Sequence, residues 1–325
     1  MIDTTALTRE VILQHAPVMV KEILGFLDPK PGDIIVDATI GYGGHSRPIL
    51  EKIRPNGQVI GIDQDQQAIE YSKESLKEFS DSLFLINDNF KNLERILTGL
   101  EIKKINGILF DLGVSSVQLD TPERGFSIKY DAPLDMRMDK TSRISAFDLV
   151  NNLSLEELSR ILKVYGEERF HARIAKAIVG QRKKSLIATT GELSELVLRA
   201  QPPHKFQKIH PATRTFQAFR IAVNNELDSF EMTLKACVKF LKPGSRICVL
   251  TYHSLEDRIA KHIFRNLEKE GVLKRFTKKP LKASQNELAL NPRARSAKLR
   301  VAQKNEPSPS YGGKLGRQEK LGEDI

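Results

Sequence analysis

Short apolar runs in the first third of the chain each end at a polar residue or a glycine. The clearest three are DIIVDATIG from Asp33, QVIGID from Gln58 and ILFDLG from Ile108. A fourth run, SLFLIND, begins at Ser82. Runs of this length that are bounded by turn residues are typical of parallel strands buried on both faces. The sequence therefore predicts a parallel sheet.

Helical patterns occupy the segments between these runs, notably residues 46–53 and 65–79. An alternation of strand and helix predicts an α/β fold with a doubly wound, Rossmann-like sheet and right-handed crossovers. In such a sheet the ligand lies beyond the carboxyl ends of the strands. We therefore expect the functional residues where the apolar runs end.

The alternation stops after Asp111, and the segments that follow have helical periodicity instead, as in NLSLEELSRILKVYG and RFHARIAKAIVGQRK. Capping patterns mark two helix starts, Ser154 with Glu157 and, less perfectly, Thr190 with Leu193. We predict an inserted α-helical domain at residues 114–214. The α/β domain is then discontinuous and comprises residues 1–113 and 215–325.

The sheet is predicted to resume after the insert. The stretch TFQAFRIAVNNELDSFEMTLKACVKFL from Thr215 indicates one long amphipathic helix, LKPGS a turn, and RICVLTYHS a central strand. The last segment, from about residue 274 to 325, is basic at least as far as Arg300. A solvated tail is one interpretation of that segment, and a polyanion-binding surface is the other.

The chain has 51 Lys and Arg against 41 Asp and Glu, a formal net charge of +10. An excess of cations attracts nucleic acid by releasing its counterions, although many soluble proteins are moderately basic. No apolar run approaches the ~18 residues that cross a bilayer, and the N-terminus lacks the pattern of a secretory signal. We expect a cytoplasmic protein without a membrane partner.

The two cysteines, Cys237 and Cys248, lie in apolar surroundings. Neither has nearby histidines at metal-ligand spacing, so a disulfide framework and a zinc site are both disfavoured. We interpret both as core residues and predict no bound metal.

Glycines follow the first strand in DATIGYGGHS, at Gly41, Gly43 and Gly44. Glycines here let the backbone turn tightly and approach a nucleotide-like ligand. Asp63 ends the second strand, about 20 residues after the first glycine, the spacing at which an acid accepts ribose hydroxyls. A nucleoside cofactor explains the pair better than turn glycines alone.

NAD and S-adenosylmethionine share the adenosine half that these residues would contact. The pattern G-x-G-G-H lacks the later glycine that a pyrophosphate loop needs. Acids at successive strand ends, Asp37, Asp63, Asp88 and Asp111, suit a sulfonium cation electrostatically. The sequence favours S-adenosylmethionine, and an NAD-dependent oxidoreductase remains the alternative.

Nine strings occur in order from His15 to about Arg300: HAPVM, GYGGHS, ILFDLGVSSVQLD, RGFS, PLDMRMD, YGEERF, HPATRTFQAFRI, YHSLEDR and NPRARS. Together they resemble the bacterial RsmH (MraW) family of 16S ribosomal RNA cytosine-N4 methyltransferases. Strings such as PLDMRMD are long enough to be specific. The resemblance implies a class I S-adenosylmethionine-dependent methyltransferase that acts on the exocyclic N4 of a cytidine in the decoding region, within the small ribosomal subunit.

The resemblance also implies cofactor contacts, at the positions where the strings match. These fall on Gly43, Gly44, His45, Asp63, Phe90, Asp111 and Gln118. The family commonly has proline where this chain has Val117, which makes Gln118 the least secure contact. His45 could instead pack beneath the loop, Phe90 could be a core aromatic, and Asp37 could only orient the glycines.

Placement suggests the remaining roles. Asp111 ends the fourth strand, where an acceptor for the amine is expected, so we assign it the catalytic role as well. The predicted substrate contacts are Asp135, Arg137, Tyr252, His253, Arg293 and Arg295, with Lys298 and Arg300 in the same basic cluster. Alternatively, DMRMD is a salt-bridged loop and Tyr252 closes the core. A non-catalytic RNA-binding assembly factor and a homodimer are left open.

Overall fold

The computed structural model describes residues 17–202 and 209–306. Its centre is a seven-stranded sheet in the order β3-β2-β1-β4-β5-β7-β6, in which β1 to β5 run parallel and β7 is antiparallel to both its neighbours. The strands are β1 Ile34–Asp37, β2 Gln58–Asp63, β3 Leu83–Asn87, β4 Ile105–Asp111, β5 Leu241–Thr251, β6 Leu273–Arg275 and β7 Lys298–Lys304.

Helices cover both faces of the sheet. Those of the α/β part are α1 Val20–Leu27, α2 Ser46–Ile53, α3 Gln66–Ser75, α4 Leu93–Gly99, α5 Ser116–Asp120, α11 Glu226–Ala236, α12 Ser254–Lys269 and α13 Gln285–Leu290. One apolar cluster packs α4, α11 and α12 against the sheet. A second cluster packs α1, α2, α3 and α13 against it. This is the predicted doubly wound arrangement.

The strands that the apolar runs predicted are all present. Because β1 to β4 are parallel, their carboxyl ends meet at one edge of the sheet, where Asp37, Asp63 and Asp111 are final residues and Asp88 follows β3. The fold therefore gathers the predicted acids at one edge. Cys237 and Cys248 are fully buried, as predicted.

The helical insert has an apolar core of its own. Its helices are α6 Ala146–Asn152, α7 Leu155–Gly166, α8 His171–Arg182, α9 Thr190–Ala200 and α10 Thr213–Asn224. The predicted capping box of Ser154 and Glu157 is confirmed at α7. At α9 the prediction was one residue late, because Thr189 and Glu192 form the box.

The predicted single helix after the insert is wrong. Asn225 interrupts it with a left-handed backbone, φ 48°, and separates α10 from α11. The side chains of Phe216 and Phe219 on α10 join the core of the insert, whereas Phe230 on α11 joins the core of the sheet. We propose that the insert extends to Asn224 rather than ending at residue 214.

The basic segment is folded as far as the structure describes it. Residues 298–304 form β7 inside the sheet, and Arg300 on that strand is buried and donates to both oxygens of Asp257. A solvated tail is therefore excluded for this part, and Arg300 is not available to phosphate. Residues 307–325 lie outside the described part of the chain.

The predicted LKPGS turn is an irregularity inside β5. The pairing of β4 with β5 shifts register between Ile105 and Gly107, and Gly244 has a φ of 79°. Within residues 17–202 and 209–306, no helix combines the length and apolar character that a membrane span requires.

Candidate active site

A cavity of about 730 Å³ opens at the carboxyl ends of the strands. Its walls come from the loops after β1 to β5, from α10 of the insert and from the segment that precedes β7. Of the residues predicted from the sequence, it is lined by Gly44, His45, Asp63, Phe90, Asp111, Gln118, Tyr252 and Arg293. The parallel sheet thus brings most of the predicted site into one space.

The glycine loop after β1 has the backbone that the sequence indicated. Gly41 and Gly43 have φ of 51° and 80°, in the left-handed backbone region that residues with a side chain rarely adopt. A Cβ atom on Gly43 would lie 2.7 Å from Leu76 Cδ1, so this glycine lets the loop pass α3. Gly43 does not line the cavity itself, and its predicted contact stays a prediction.

Asp37 orients this loop from beneath. It is buried at the end of β1 and accepts a 2.7 Å hydrogen bond from the Ser46 hydroxyl and a second from the Thr39 amide. Burial raises the pKa of the Asp37 carboxyl, and the Ser46 hydrogen bond opposes that shift. The geometry matches the orienting role that was left open for this residue.

Asp63 connects the glycine loop to the end of β2. Its carboxylate accepts from the amides of Gly41 and Asp65, each at 2.9 Å. Burial raises the pKa of Asp63 to about 7, against the opposing effect of these hydrogen bonds. A partly buried carboxylate that lines the cavity at this position is suited to accept hydrogen bonds from ribose hydroxyls.

An apolar wall adjoins Asp63. Phe90 packs edge-to-face on Phe110, with ring centroids 6.0 Å apart, and Ala68 and Leu112 line the same cavity. The Tyr42 hydroxyl is buried beside it and has no hydrogen-bond partner within the described residues. An apolar wall, a neighbouring carboxyl group and an unpaired buried hydroxyl together fit an adenosine-containing cofactor.

Asp111 lies between two donors. The Tyr252 hydroxyl donates to Asp111 Oδ1 at 2.9 Å, and His45 Nδ1 lies 3.3 Å from Asp111 Oδ2. His45 Nε2 lies 2.9 Å from the carbonyl oxygen of Val18, which can only accept. Each ring nitrogen thus faces an acceptor, an arrangement that requires both to carry hydrogen.

The charge of His45 follows from this geometry. Burial alone lowers the pKa of the imidazole, but the hydrogen bond and charge of Asp111 outweigh it, and the net direction is upward. This direction favours the imidazolium form of His45 beside the Asp111 carboxylate. It also packs beneath the loop, with only 7% of its side chain exposed.

Gln118 is engaged within the protein. It forms a capping box with Ser115 at the start of α5, and its amide nitrogen donates to Asp65 Oδ2 at 2.8 Å. Arg124 donates to the same oxygen at 2.7 Å, and both members of this ion pair are almost fully buried. Gln118 lines the cavity, so its predicted cofactor contact stays a prediction alongside this structural role.

Arg124 connects Asp65 to the loop before α6. Its Nη2 donates to the carbonyl oxygens of Arg137 and Met138. Asp65, which also caps α3, is therefore connected through one guanidinium to the inserted domain.

The β5 side of the cavity holds a different set of groups. Arg220 on α10 donates from Nε and Nη2 to the two oxygens of Glu226, each at 2.9 Å. Glu256 on α12 is buried and accepts from the amides of Tyr252 and His253. Arg220, Glu226 and Glu256 all line the cavity.

A group of three possible metal ligands occurs in the same place. Ligand atoms of Glu226, His253 and Glu256 all lie within 4.8 Å of one another. Both Glu226 oxygens already accept from Arg220, however, and a guanidinium in contact opposes a second cation. The prediction of no bound metal stays a prediction.

Several predicted substrate residues are not brought to the cavity. Asp135 and Arg137 form an ion pair within their own loop, with Nε to Oδ1 at 2.7 Å, as the alternative interpretation of DMRMD had it. His253 caps α12, and Arg295 is exposed outside the cavity. Arg293 lines the cavity and donates to Asp120 at 2.6 Å.

Sequence reasoning missed Tyr42, Arg124, Arg220 and Glu226. The first lies inside the GYGGHS string and the second inside RGFS, so both were within recognised strings without a role. Arg220 lies in HPATRTFQAFRI. Its place on the helix face that lines the cavity was the one signal in the sequence that could have identified it.

A doubly wound sheet with a glycine loop after its first strand, an acid ending its second and a nucleoside-sized cavity defines the class I methyltransferase type of site. The chain belongs to the MraW methylase family, whose model matches residues 12–305. This confirms the family inferred from the nine strings, the Rossmann-like fold and S-adenosylmethionine as the cofactor. It also sets aside the NAD-dependent oxidoreductase.

Curated relatives match over nearly their whole length. The chain is 49% identical over 309 residues to "Ribosomal RNA small subunit methyltransferase H" of Halothermothrix orenii, covering 90% of this chain and 99% of that one. It is also 49% identical over 312 residues to the protein of the same name from Syntrophotalea carbinolica, covering 91% and 99%.

Solved structures are more distant. An S-adenosylmethionine-dependent O-methyltransferase from Thermotoga maritima superposes with a TM-score of 0.42 and 10% identity, over 93% of this chain and 72% of that one. A similarity at this level supports no conclusion about substrate or mechanism.

Proposed function

We propose that this chain methylates the exocyclic N4 of a cytidine in the decoding region of 16S ribosomal RNA, within the small ribosomal subunit. Support comes from the names of its relatives, which specify small-subunit ribosomal RNA, and from the nine family strings, which imply cytosine and N4. The net charge of +10 agrees with an RNA substrate.

The observation on which this proposal rests most is the placement of Asp111. It ends β4 between the glycine loop and Asp63 on one side and Tyr252 of the β5 loop on the other. A carboxylate at that point lies between two parts of the cavity. We call the part at β1 and β2 the cofactor half, and the part at β5, where the methyl acceptor would bind, the acceptor half. Asp111 can therefore contact both reactants.

The chemistry requires help from the protein. The N4 amine of cytosine is a poor nucleophile because its lone pair is delocalised into the ring. S-adenosylmethionine, when bound, supplies an electrophilic methyl group on a sulfonium. Holding the reactants in line at about 3 Å reduces the entropic part of the barrier.

Asp111 supplies a negative charge where positive charge develops on the amine. The imidazolium of His45 and the hydroxyl of Tyr252 fix both of its oxygens, so the carboxylate does not need to reorganise during the reaction. Each oxygen keeps a further lone pair that can accept an amine hydrogen. The proton can then leave after the transfer.

Access to the site requires the base to leave its stack. Cytosine within folded RNA must be splayed out to enter a cavity at the strand ends. The exposed Arg295 of the segment before β7 would help to position RNA through a phosphate contact without reading sequence.

The test is methyl transfer from labelled S-adenosylmethionine into small subunits lacking this modification, followed by nucleoside analysis. We expect the label in N4-methylcytidine. Label in another nucleoside would retain the reaction class and refute the assigned atom. Binding of the cofactor without label in subunits or naked RNA would favour the non-catalytic assembly factor.

A single substitution tests the assignment of Asp111. The Asp111→Asn variant should bind the cofactor and lose roughly 100-fold or more in kcat, because the amide lacks the negative charge. Full turnover with preserved cofactor affinity would refute the catalytic role.

A further inference from the structure

The wall of the cavity that faces the acceptor half is one side of α10. Thr213, Phe216, Gln217, Arg220 and Asn224 line the cavity, and their spacing of three and four residues places them on one helical face. This wall belongs to the inserted domain, and it shares the cavity with Tyr252 of the loop after β5.

The polar residues of this wall differ in what they can offer a ligand. Gln217 donates to the carbonyl oxygen of Tyr165. Asn224 donates to the carbonyl oxygens of Met136 and Arg220 and accepts from the Met138 amide. Both side chains are therefore used to fix α10 in place.

Arg220 is different because its ion pair with Glu226 does not use all the N–H donors of its guanidinium. The fork to Glu226 uses Nε and one N–H of Nη2, so the N–H groups of Nη1 have no protein acceptor among the described residues. The side chains of Arg220 and Glu226 are only 15% and 11% exposed. A buried, rigidly held guanidinium with spare donors is a binding group for an acceptor on a ligand.

The ligand that would meet these donors is on the acceptor side of Asp111. The predicted cofactor contacts, Asp63 and the glycine loop, lie at the ends of β1 and β2, whereas Arg220 interacts electrostatically with Glu256, on the helix that follows β5. The phosphates of an RNA chain would stay near the mouth of the cavity. The base is therefore the part of the substrate that reaches Arg220.

We propose that Arg220, held by Glu226, is the residue that selects cytosine, by donating hydrogen bonds to N3 and O2 of the base. This inference rests on the proposed function, since it assumes that N4 faces Asp111. In cytosine, N3 and O2 are acceptors on the same edge as N4, so donors beside the amine site match it. Uracil presents an N3–H at that edge, which a guanidinium repels.

The test compares two nucleotides that differ in one acceptor. Cytidine 5′-monophosphate and its 3-deaza analogue, in which a C–H replaces N3, are measured as inhibitors of methyl transfer into small subunits. For the wild-type protein we expect the natural nucleotide to inhibit at roughly 10-fold or more lower concentration, because a charged donor loses its acceptor.

The Arg220→Lys variant should reduce that preference to within about twofold, because an ammonium cannot keep the fork to Glu226 and reach the base as well. Arg214→Lys is the matched control, since Arg214 is exposed on the same helix and does not line the cavity. If thermal unfolding shows that Arg220→Lys is not folded, Glu226→Gln replaces it, because it removes the charge and one of the two acceptors that hold Arg220 and keeps the volume.

The possible outcomes separate this inference from the function beneath it. Label in N4-methylcytidine with an equal preference for the natural nucleotide in wild type and variant would overturn the role of Arg220 alone. So would equal inhibition by both nucleotides, or no inhibition by either, with the wild-type protein. Failure of the wild-type protein to label N4 would instead remove the proposed function.

Discussion

The Tyr252 hydroxyl donates a 2.9 Å hydrogen bond to Asp111 Oδ1 and so joins the loop after β5 to the end of β4. Burial raises the pKa of Tyr252 well above its usual value, and the neighbouring Asp111 raises it further. The phenol therefore remains a donor across the working pH range. Its role is to hold one carboxylate oxygen in a fixed direction.

Removing this hydroxyl should affect catalysis more than binding. The Tyr252→Phe variant is expected to lose roughly 10-fold in kcat, because a preorganised hydrogen bond at the reacting carboxylate is lost, with cofactor affinity within about twofold. Tyr130→Phe is the matched control, since Tyr130 is 42% exposed. Steady-state kinetics with small subunits would check this, and an equal loss of cofactor affinity would contradict it.

Asp63 should make cofactor binding depend on pH. The pKa of Asp63 is about 7 in the folded protein and near 3.8 in the unfolded chain. Between these two pH values the folded protein holds a proton that the unfolded chain releases. Stability from this group therefore falls as pH rises between those values. The ionised carboxylate is the better acceptor for ribose hydroxyls, so cofactor affinity should rise from pH 6 to pH 8, by about tenfold at most.

Calorimetry in two buffers of different ionisation enthalpy measures this directly. At pH 6 binding should release a proton, and at pH 8 it should not. Asp63→Asn should abolish the proton release, whereas Asp81→Asn, at an exposed acid, should keep it. Release that persists in Asp63→Asn would place the titrating group elsewhere.

The imidazolium of His45 gives a second pH dependence, this time in stability. Because the folded pKa is raised above 6.5, the stabilisation is fully present below 6.5 and is lost as pH rises through the folded value. His45→Gln should cost about 2 kcal/mol of unfolding free energy at pH 6, and less at high pH.

Denaturant unfolding at pH 6 and above pH 8 provides the measurement. His262→Gln is the control, since that histidine is exposed. A penalty for His45→Gln that grows with pH would show that the ring is neutral in the folded protein.

The buried pair of Arg124 and Asp65 should behave as a unit. Arg124→Met leaves an unpaired buried carboxylate and should cost about 3–5 kcal/mol of unfolding free energy. Adding Asp65→Asn should recover part of that loss, because the uncompensated charge is removed. Additive losses in a double-mutant cycle would contradict the coupling.

Much of this fold was predictable because it depends on local pattern. Buried parallel strands need continuous apolar runs, so β1 to β4 and the acids that end them could be read from the chain. β7 was missed because three of the seven residues in its pattern, KLRVAQK, are charged, and the charge of the buried Arg300 is compensated by Asp257 on α12. Such a pairing has no local signal.

The residues of the site also divide into those with a local signal in the sequence and those without one. Gly41 and Asp63 have a fixed spacing that indicates their joint role, whereas Arg220 and Glu226 pair across the helix break at Asn225. A left-handed Asn inside an apparently continuous amphipathic pattern has no signal in the sequence, so the pairing of Arg220 with Glu226 was not predicted.

Arg295 is the exposed member of the basic cluster, because Arg300 is buried and Arg293 contacts Asp120. If it contacts an RNA phosphate, Arg295→Ala should weaken binding and reduce the slope of log affinity against log salt by about 0.7–0.9. Filter binding to small-subunit RNA across a salt series would measure the slope. Lys77→Ala, an exposed cation beside α3, should leave it unchanged. An identical slope in both variants would show that Arg295 is solvated surface, and the phosphate contacts would then lie elsewhere on the protein.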